Sequence, residues 1–278
     1  MKVAKSIAAL RAWRKNRTGR IVLVPTMGAL HAGHAALIRS ARKLAGRRGS
    51  VVVSIFVNPI QFGPKEDFSS YPRPFRKDVA ICRSAGADTV FAPSVEELYA
   101  GDASVTVDES HLSTALCGRS RPGHFRGVCT VVSKLLLIVQ PTHSVFGEKD
   151  WQQLAVLRRM VRDLNFPVQV VGHPTVREPD GLATSSRNAY LTGSERAVAP
   201  LIHAALKSAA SKKSPSAIEA AARNAVSTIP GARLDYVEAV DAASLQPLKN
   251  RKSPGRLASA VFLGKARLID NIALPVLP

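Results

Sequence analysis

The sequence predicts an α/β fold, a doubly wound parallel sheet followed by a smaller second domain. Three observations carry that expectation. Short runs rich in Val, Ile and Phe recur at 21–24, 51–57, 89–92, 144–146 and 168–171. They are apolar at nearly every position, as strands buried on both faces are. Stretches with helical spacing lie between them, with Leu37, Ala41, Leu44 and Ala45 in one and Trp151, Leu154, Leu157, Val161 and Leu164 in another. Repeated βα units of this length build a parallel sheet through right-handed crossovers. The alternation stops near Pro174, where the composition turns polar.

Taken in order, the chain begins with the basic, loosely amphipathic stretch "MKVAKSIAALRAWRKNR". Its apolar part is too short and too interrupted for a secretory signal. No acid occurs before Glu66, as in a transit peptide, yet a strand starting at residue 21 leaves little room for a removable segment. The stretch is therefore expected to be the first helix of the domain. After Pro174, "HPTVREPDGLATSSRNAYLTGSER" reads as a loop with turn signals at 179–181. Ala-rich helical stretches follow near 194–211 and 216–228, and then the strand-like runs "LDYVEAVD" and "LASAVFLG". We expect one domain over 1–175 and a second over 176–278.

The composition narrows the class. An apolar fraction of 46% and a charged fraction of 21% belong to a globular chain. The longest aliphatic run, 135–139, is too short to span a membrane. Cys82, Cys117 and Cys129 are odd in number and lack CxxC spacing. That fits a cytoplasmic protein and neither a disulfide framework nor a zinc site. The net charge of +19 raises a polyanionic partner or an acidic substrate. The cations are spread along the whole chain, and aromatics are only 5%, too few for base-stacking platforms. A solvated basic surface is expected, with no specific nucleic-acid partner.

Ligands of doubly wound sheets sit beyond the C-terminal strand ends, so the segments after each strand carry the chemistry. The first is Thr26-Met27-Gly28-Ala29-Leu30-His31-Ala32-Gly33-His34, leading into a helix. A glycine-bearing turn at a helix N-terminus offers unpaired N–H groups to phosphate. It is neither a Walker A loop nor GxGxxG. A metal would need ligands that this pair lacks. The plainer alternative is one capping histidine and one surface histidine. After the second strand, the amides of Asn58 and Gln61 either orient a polar substrate or bond to backbone. After the fourth, Gly147 breaks the strand; Glu148 and Asp150 suit the N-terminus of the helix that carries Gln153. Lys149 opposes that dipole, which an anionic ligand would explain. Finally, Ser185, Ser186 and Arg187 offer phosphate donors from the polar loop.

Together, "VPTMGALHAGH", "IFVNPIQFG", "YPR", "RPGHFRGV", "FGEKDWQQL", "VREPDGLATSSRN" and "GKARLIDN" make the chain resemble the pantoate–β-alanine ligase family over nearly its whole length. The resemblance implies a Rossmann-like domain with a smaller C-terminal α+β lid domain, usually as a homodimer. It implies a ligase that activates pantoate with ATP as pantoyl adenylate, releases pyrophosphate, and then transfers the pantoyl group to β-alanine with release of AMP. By residue matching, Met27 to His34 is an ATP-binding turn, with His34 at the proton-donor position and His31 its partner on the phosphates. Gly147, Glu148, Lys149 and Asp150 match a second ATP segment, with Lys149 on phosphate. Val176 matches an adenosine contact, and Thr184, Ser185, Ser186 and Arg187 match a loop closing over the triphosphate. Gln61 and Gln153 match pantoate contacts, Gln61 also facing β-alanine; Asn58 and Arg121 match positions lining the site. Mg²⁺ is expected with ATP, and Asp78 matches an acidic position that helps hold it. Three positions depart from the family pattern: Ala32 and Lys77 where relatives often carry acids, and Thr184 where Met or Leu is usual. A different adenylate-forming enzyme is the alternative, and Gln61 with Gln153 argues against it.

Overall fold

A computed structural model describes residues 1–64, 66 and 68–277. The elements in chain order are β1 (Lys2–Ala4), α1 (Ile7–Lys15), β2 (Ile21–Thr26), α2 (Ala32–Ala45), β3 (Ser50–Ile55), α3 (Phe75–Ser84), β4 (Thr89–Phe91), α4 (Val95–Leu98), α5 (Leu116–Ser120), α6 (His124–Val139), β5 (His143–Gly147), α7 (Trp151–Asp163), β6 (Gln169–His173), α8 (Gly193–Val198), α9 (Pro200–Ala209), α10 (Pro215–Ser227), β7 (Ala232–Asp241), β8 (Gly255–Leu263) and β9 (Ala266–Leu274). The chain divides into two compact units. The first holds 1–110, 121–148 and 156–174; the second holds 111–120, 149–155 and 175–278.

The first unit is built on a six-stranded sheet of order β1-β4-β3-β2-β5-β6, every pair parallel. The five expected strands are present. The three-residue strand β1 adds an edge, so the N-terminal stretch is a strand followed by a helix. Val22, Val24, Val51, Val53 and Val145 pack with Ile38, Ala41 and Ala45 of α2. Ile21, Leu23 and Val52 alternate with them, point to the opposite face and are equally buried. Both faces are therefore covered, which is why the strands read as unbroken apolar runs. The chain winds outward from β2 to β4 and returns to β5 on the other side of β2. The switch point thus lies between β2 and β5, where the carboxyl ends open a crevice.

The second unit carries the antiparallel sheet β7-β8-β9. Two helices cover it. Ile202 of α9 and Val226 of α10 pack with Val261, Leu263 and Leu268. Leu206, Ile218 and Ala222 pack with Val237 and Leu257. Strand β9 extends the two expected strand-like runs into a three-stranded sheet.

Candidate active site

In the first unit the turn after β2 is shaped by its backbone. Gly28 and Ala29 both have positive φ, 86° and 50°. A Cβ at Gly28 would lie 3.0 Å from Asp78 Oδ2 and 3.2 Å from Ile55 Cγ2, so the position demands glycine twice over. The Thr26 hydroxyl donates to Ser54 O at 2.7 Å and accepts from Gly28 N at 3.2 Å. Asp78, fully buried on α3, accepts from Ala29 N (3.0 Å) and Leu30 N (2.8 Å), one bond to each carboxylate oxygen. Burial pushes its pKa up, against the lowering effect of those two N–H groups. Asp78 is therefore a strut that fixes the turn. The acid expected beside Mg²⁺ thus spends one bond of each oxygen on the turn. No group of three or more His, Cys, Asp or Glu among the described residues is arranged to hold a metal.

The two histidines divide their work by atom. His31 is the N-cap of α2, and its Nδ1 accepts from Gly33 N at 3.1 Å. His34 Nδ1 reaches back to accept from His31 N at 3.3 Å. This is a reciprocal capping box with imidazoles in both roles. The rings lie 4.1 Å apart, tilted by 44°. Both Nδ1 atoms are acceptors, so in the neutral rings the proton sits on Nε2. Capping thus fixes the orientation of both rings at the N-terminus of α2.

Gln61 is buried, and three neighbours fix it. Its Nε2 donates to Met27 Sδ at 2.9 Å, its Oε1 accepts from Asn58 Nδ2 at 3.0 Å, and its carbonyl lies 2.9 Å from His124 Nδ1. Asn58 spends its second N–H on Gly127 O (3.0 Å), and its Oδ1 accepts from Tyr99 (2.9 Å). It holds the Gln61 side chain in place. α6 approaches so closely that a Cβ at Gly127 would lie 2.4 Å from Ile60 O. Arg121 is likewise engaged. It forms a bidentate pair with Glu66 at 2.6 and 2.7 Å and meets His124 Nε2 at 3.0 Å. Burial raises the Glu66 pKa, but Arg121 outweighs it and leaves the carboxyl at about 2. Arg121, expected to line the site, thus enters an ion pair with Glu66. Gly147 ends β5 opposite His173, at the switch point, and Glu148 follows it.

The second unit carries the remaining candidates. Lys149 Nζ lies 3.6 Å from Asp150 Oδ2. Gln153 is half-buried in the first turn of α7. Its neighbour Gln152, passed over in the sequence, is the buried one; it bonds Leu112 O, Ala115 O and Cys117 N. Val176 and Thr184 are joined through Thr184 N and Val176 O at 3.0 Å. The Thr184 hydroxyl is buried without a hydrogen-bond partner among the described residues. Ser185 caps a 3-10 turn over Ser186–Tyr190 by accepting from Arg187 N at 3.2 Å, and so fixes the backbone from which Arg187 projects.

The fold and the turn after β2 define a class, an α/β protein with a glycine-bearing turn and a helix N-terminus at the switch point of a parallel sheet. Comparison with known proteins sets the family. The model of the pantoate-beta-alanine ligase family matches residues 2–273. The pantothenate synthetase of Akkermansia muciniphila is 52% identical over 271 residues, covering 96% of each chain. The crystal structure of pantothenate synthetase from Thermus thermophilus superposes with a TM-score of 0.91 at 44% identity, covering 99% of this chain and 100% of that one. That of pantoate-beta-alanine ligase from Francisella tularensis, complexed with beta-gamma ATP and beta-alanine, gives 0.82 at 35% identity, covering 98% and 97%. The chain belongs to the pantoate-beta-alanine ligase family.

Proposed function

We propose that the chain joins pantoate to β-alanine in two steps driven by ATP. A pantoate carboxylate oxygen attacks the α-phosphorus of ATP, and the bond to pyrophosphate breaks. The β-alanine nitrogen then attacks the acyl carbon, the C–O bond to the nucleotide breaks, and pantothenate and AMP leave. The observation that carries this reading is the reciprocal capping of His31 and His34, which fixes two imidazoles in the turn after β2. Donors held in place before reaction cost no reorganisation when charge develops on phosphate.

His34 and His31 serve the developing phosphate charge, within an ATP turn of Met27, Gly28, Ala29, Leu30, Ala32 and Gly33. Gly147, Glu148, Lys149, Asp150, Val176, Thr184, Ser185, Ser186 and Arg187 bind the nucleotide, with Lys149 and Arg187 on phosphate oxygens. Gln61 and Gln153 hold pantoate, and Gln61 also faces β-alanine. ATP would enter with Mg²⁺, which would neutralise phosphate charge, with Asp78 the acid that would help hold it. The first unit carries the nucleotide turn, and the second acts as the lid domain. The protein works in the cytoplasm as a homodimer. Light scattering at the mass of two chains would support the dimer; a single-chain mass would reject it.

The test of the reaction is exchange of labelled pyrophosphate into ATP with β-alanine omitted. Exchange should appear only when pantoate is present. No exchange with pantoate, or equal exchange without it, rejects the reading.

A further inference from the structure

We propose that the dipeptide Asp270–Asn271 of β9 positions the phosphate-binding residues of the second unit, one arm for each of two segments. The proposal rests on the ligase reading above, in which Lys149 and Arg187 meet the triphosphate. Consecutive strand residues face opposite sides, so one dipeptide can reach two segments at once.

The first arm latches the hairpin before Arg187. Asp270 takes Arg177 bidentately, from Nη1 at 2.7 Å and Nη2 at 2.9 Å, and His203 Nδ1 lies 3.3 Å from Oδ2. Arg177 Nη1 also donates to Gly181 O at 3.1 Å, closing the turn at 178–181. Residues Arg177 and Ala183 pair across the hairpin, and Asn188 Nδ2 ties its far end to Glu178 (2.9 Å) and Ala183 O (3.2 Å). Ser185, Ser186 and Arg187 thus leave a hairpin whose position is set from β9.

The second arm holds the backbone of Lys149. Asn271 Nδ2 donates to Lys149 O at 2.9 Å, and Asn271 Oδ1 accepts from Arg256 Nη1 at 3.1 Å. The Arg256 guanidinium stacks 3.6 Å from the Trp151 ring centroid, and Trp151 Nε1 donates to Ala242 O at 3.0 Å. The loop closes from Asn271 to Lys149, along the chain to Trp151, and back through Arg256. A buried carboxylate and a buried amide are a poor choice for stability alone, since apolar residues fill such space as well. Their bonds instead converge on the two segments that carry the phosphate cations.

The test is a double-mutant cycle on pantoate-dependent pyrophosphate exchange, with folding checked by thermal melting. Asn271→Ala should lower the exchange kcat roughly tenfold, as a displaced cation does, and leave the KM for pantoate unchanged. In a Lys149→Ala background, Asn271→Ala should cost nothing further, because it acts through the absent ammonium. Asn271→Leu, close in size, should behave alike. Asp270→Asn should show the same silence in an Arg187→Ala background. Equal fold-losses in both backgrounds, no loss in the wild-type background, or failure of both Asn271 variants to fold overturns the positioning role. Absence of exchange in the wild-type enzyme rejects the ligase reading itself.

Discussion

At the scale of single residues, function turns on which atom of a side chain is already committed. His31 and His34 each commit Nδ1 to the N-terminus of α2, which fixes both rings in the turn. His34→Ala and Lys149→Ala should each lower kcat about 10²-fold, as loss of a transition-state donor does; steady-state kinetics near the wild-type rate would remove that residue from the chemistry. Thr184 places a hydroxyl in a buried setting without a partner among the described residues. Thr184→Met should lower the KM for ATP roughly fivefold or more, the equivalent of about 1–2 kcal/mol of apolar contact. An unchanged KM would show that the side chain has no part in nucleotide binding. The sequence made the histidines, Gln61 and Lys149 visible because they sit beside strand ends. It gave no sign of how Asn58, Arg121 and Asp78 are held. Their partners, Tyr99 and Gly127, Glu66, and the 29–30 backbone, are brought to them only by the tertiary fold.

At the scale of elements, the turn after β2 is held by the helix behind it and the strut beneath it. Asp78 reaches from α3 to satisfy two backbone N–H groups of the turn. Asp78→Ala leaves both without acceptors and should cost about 2 kcal/mol or more in urea unfolding, with a higher KM for ATP. Asp78→Asn keeps one acceptor and should fall between. Wild-type stability and KM in Asp78→Ala would mean that the turn holds its shape unaided. The strands β2 to β5 and α2 were legible because burial on both faces writes itself as apolar runs. β1 was not, since three residues carry no period and its pairing with β4 is remote in sequence. α6 escaped for a different reason. It is buried nearly all round, from Phe125 to Val139, so it has no polar stripe, and its β-branched residues blur the helical pattern. β9 was visible only as the motif "GKARLIDN". Its register comes from the hairpin at Gly264, whose φ of 53° turns the chain back onto β8.

At the scale of the whole molecule, the expected boundary at 175 compares with two units that interleave along the chain. Residues 111–120 and 149–155 group with the C-terminal portion. Such excursions are set by packing and leave no change in composition for a sequence reading to find. The net charge of +19 is also a property of the whole chain. If it is a solvated surface, binding to an unrelated DNA duplex should be measurable at low salt and fall by roughly 10³-fold or more by about 200 mM. Tight binding that persists there would point to a built nucleic-acid site. The central claim is that pantoate is activated at the α-phosphorus of ATP. The most direct measurement follows ¹⁸O from the pantoate carboxylate into the products by mass spectrometry. Attack at the α-phosphorus predicts one labelled oxygen in each AMP. Label in inorganic phosphate, with ADP as the nucleotide product, would contradict it.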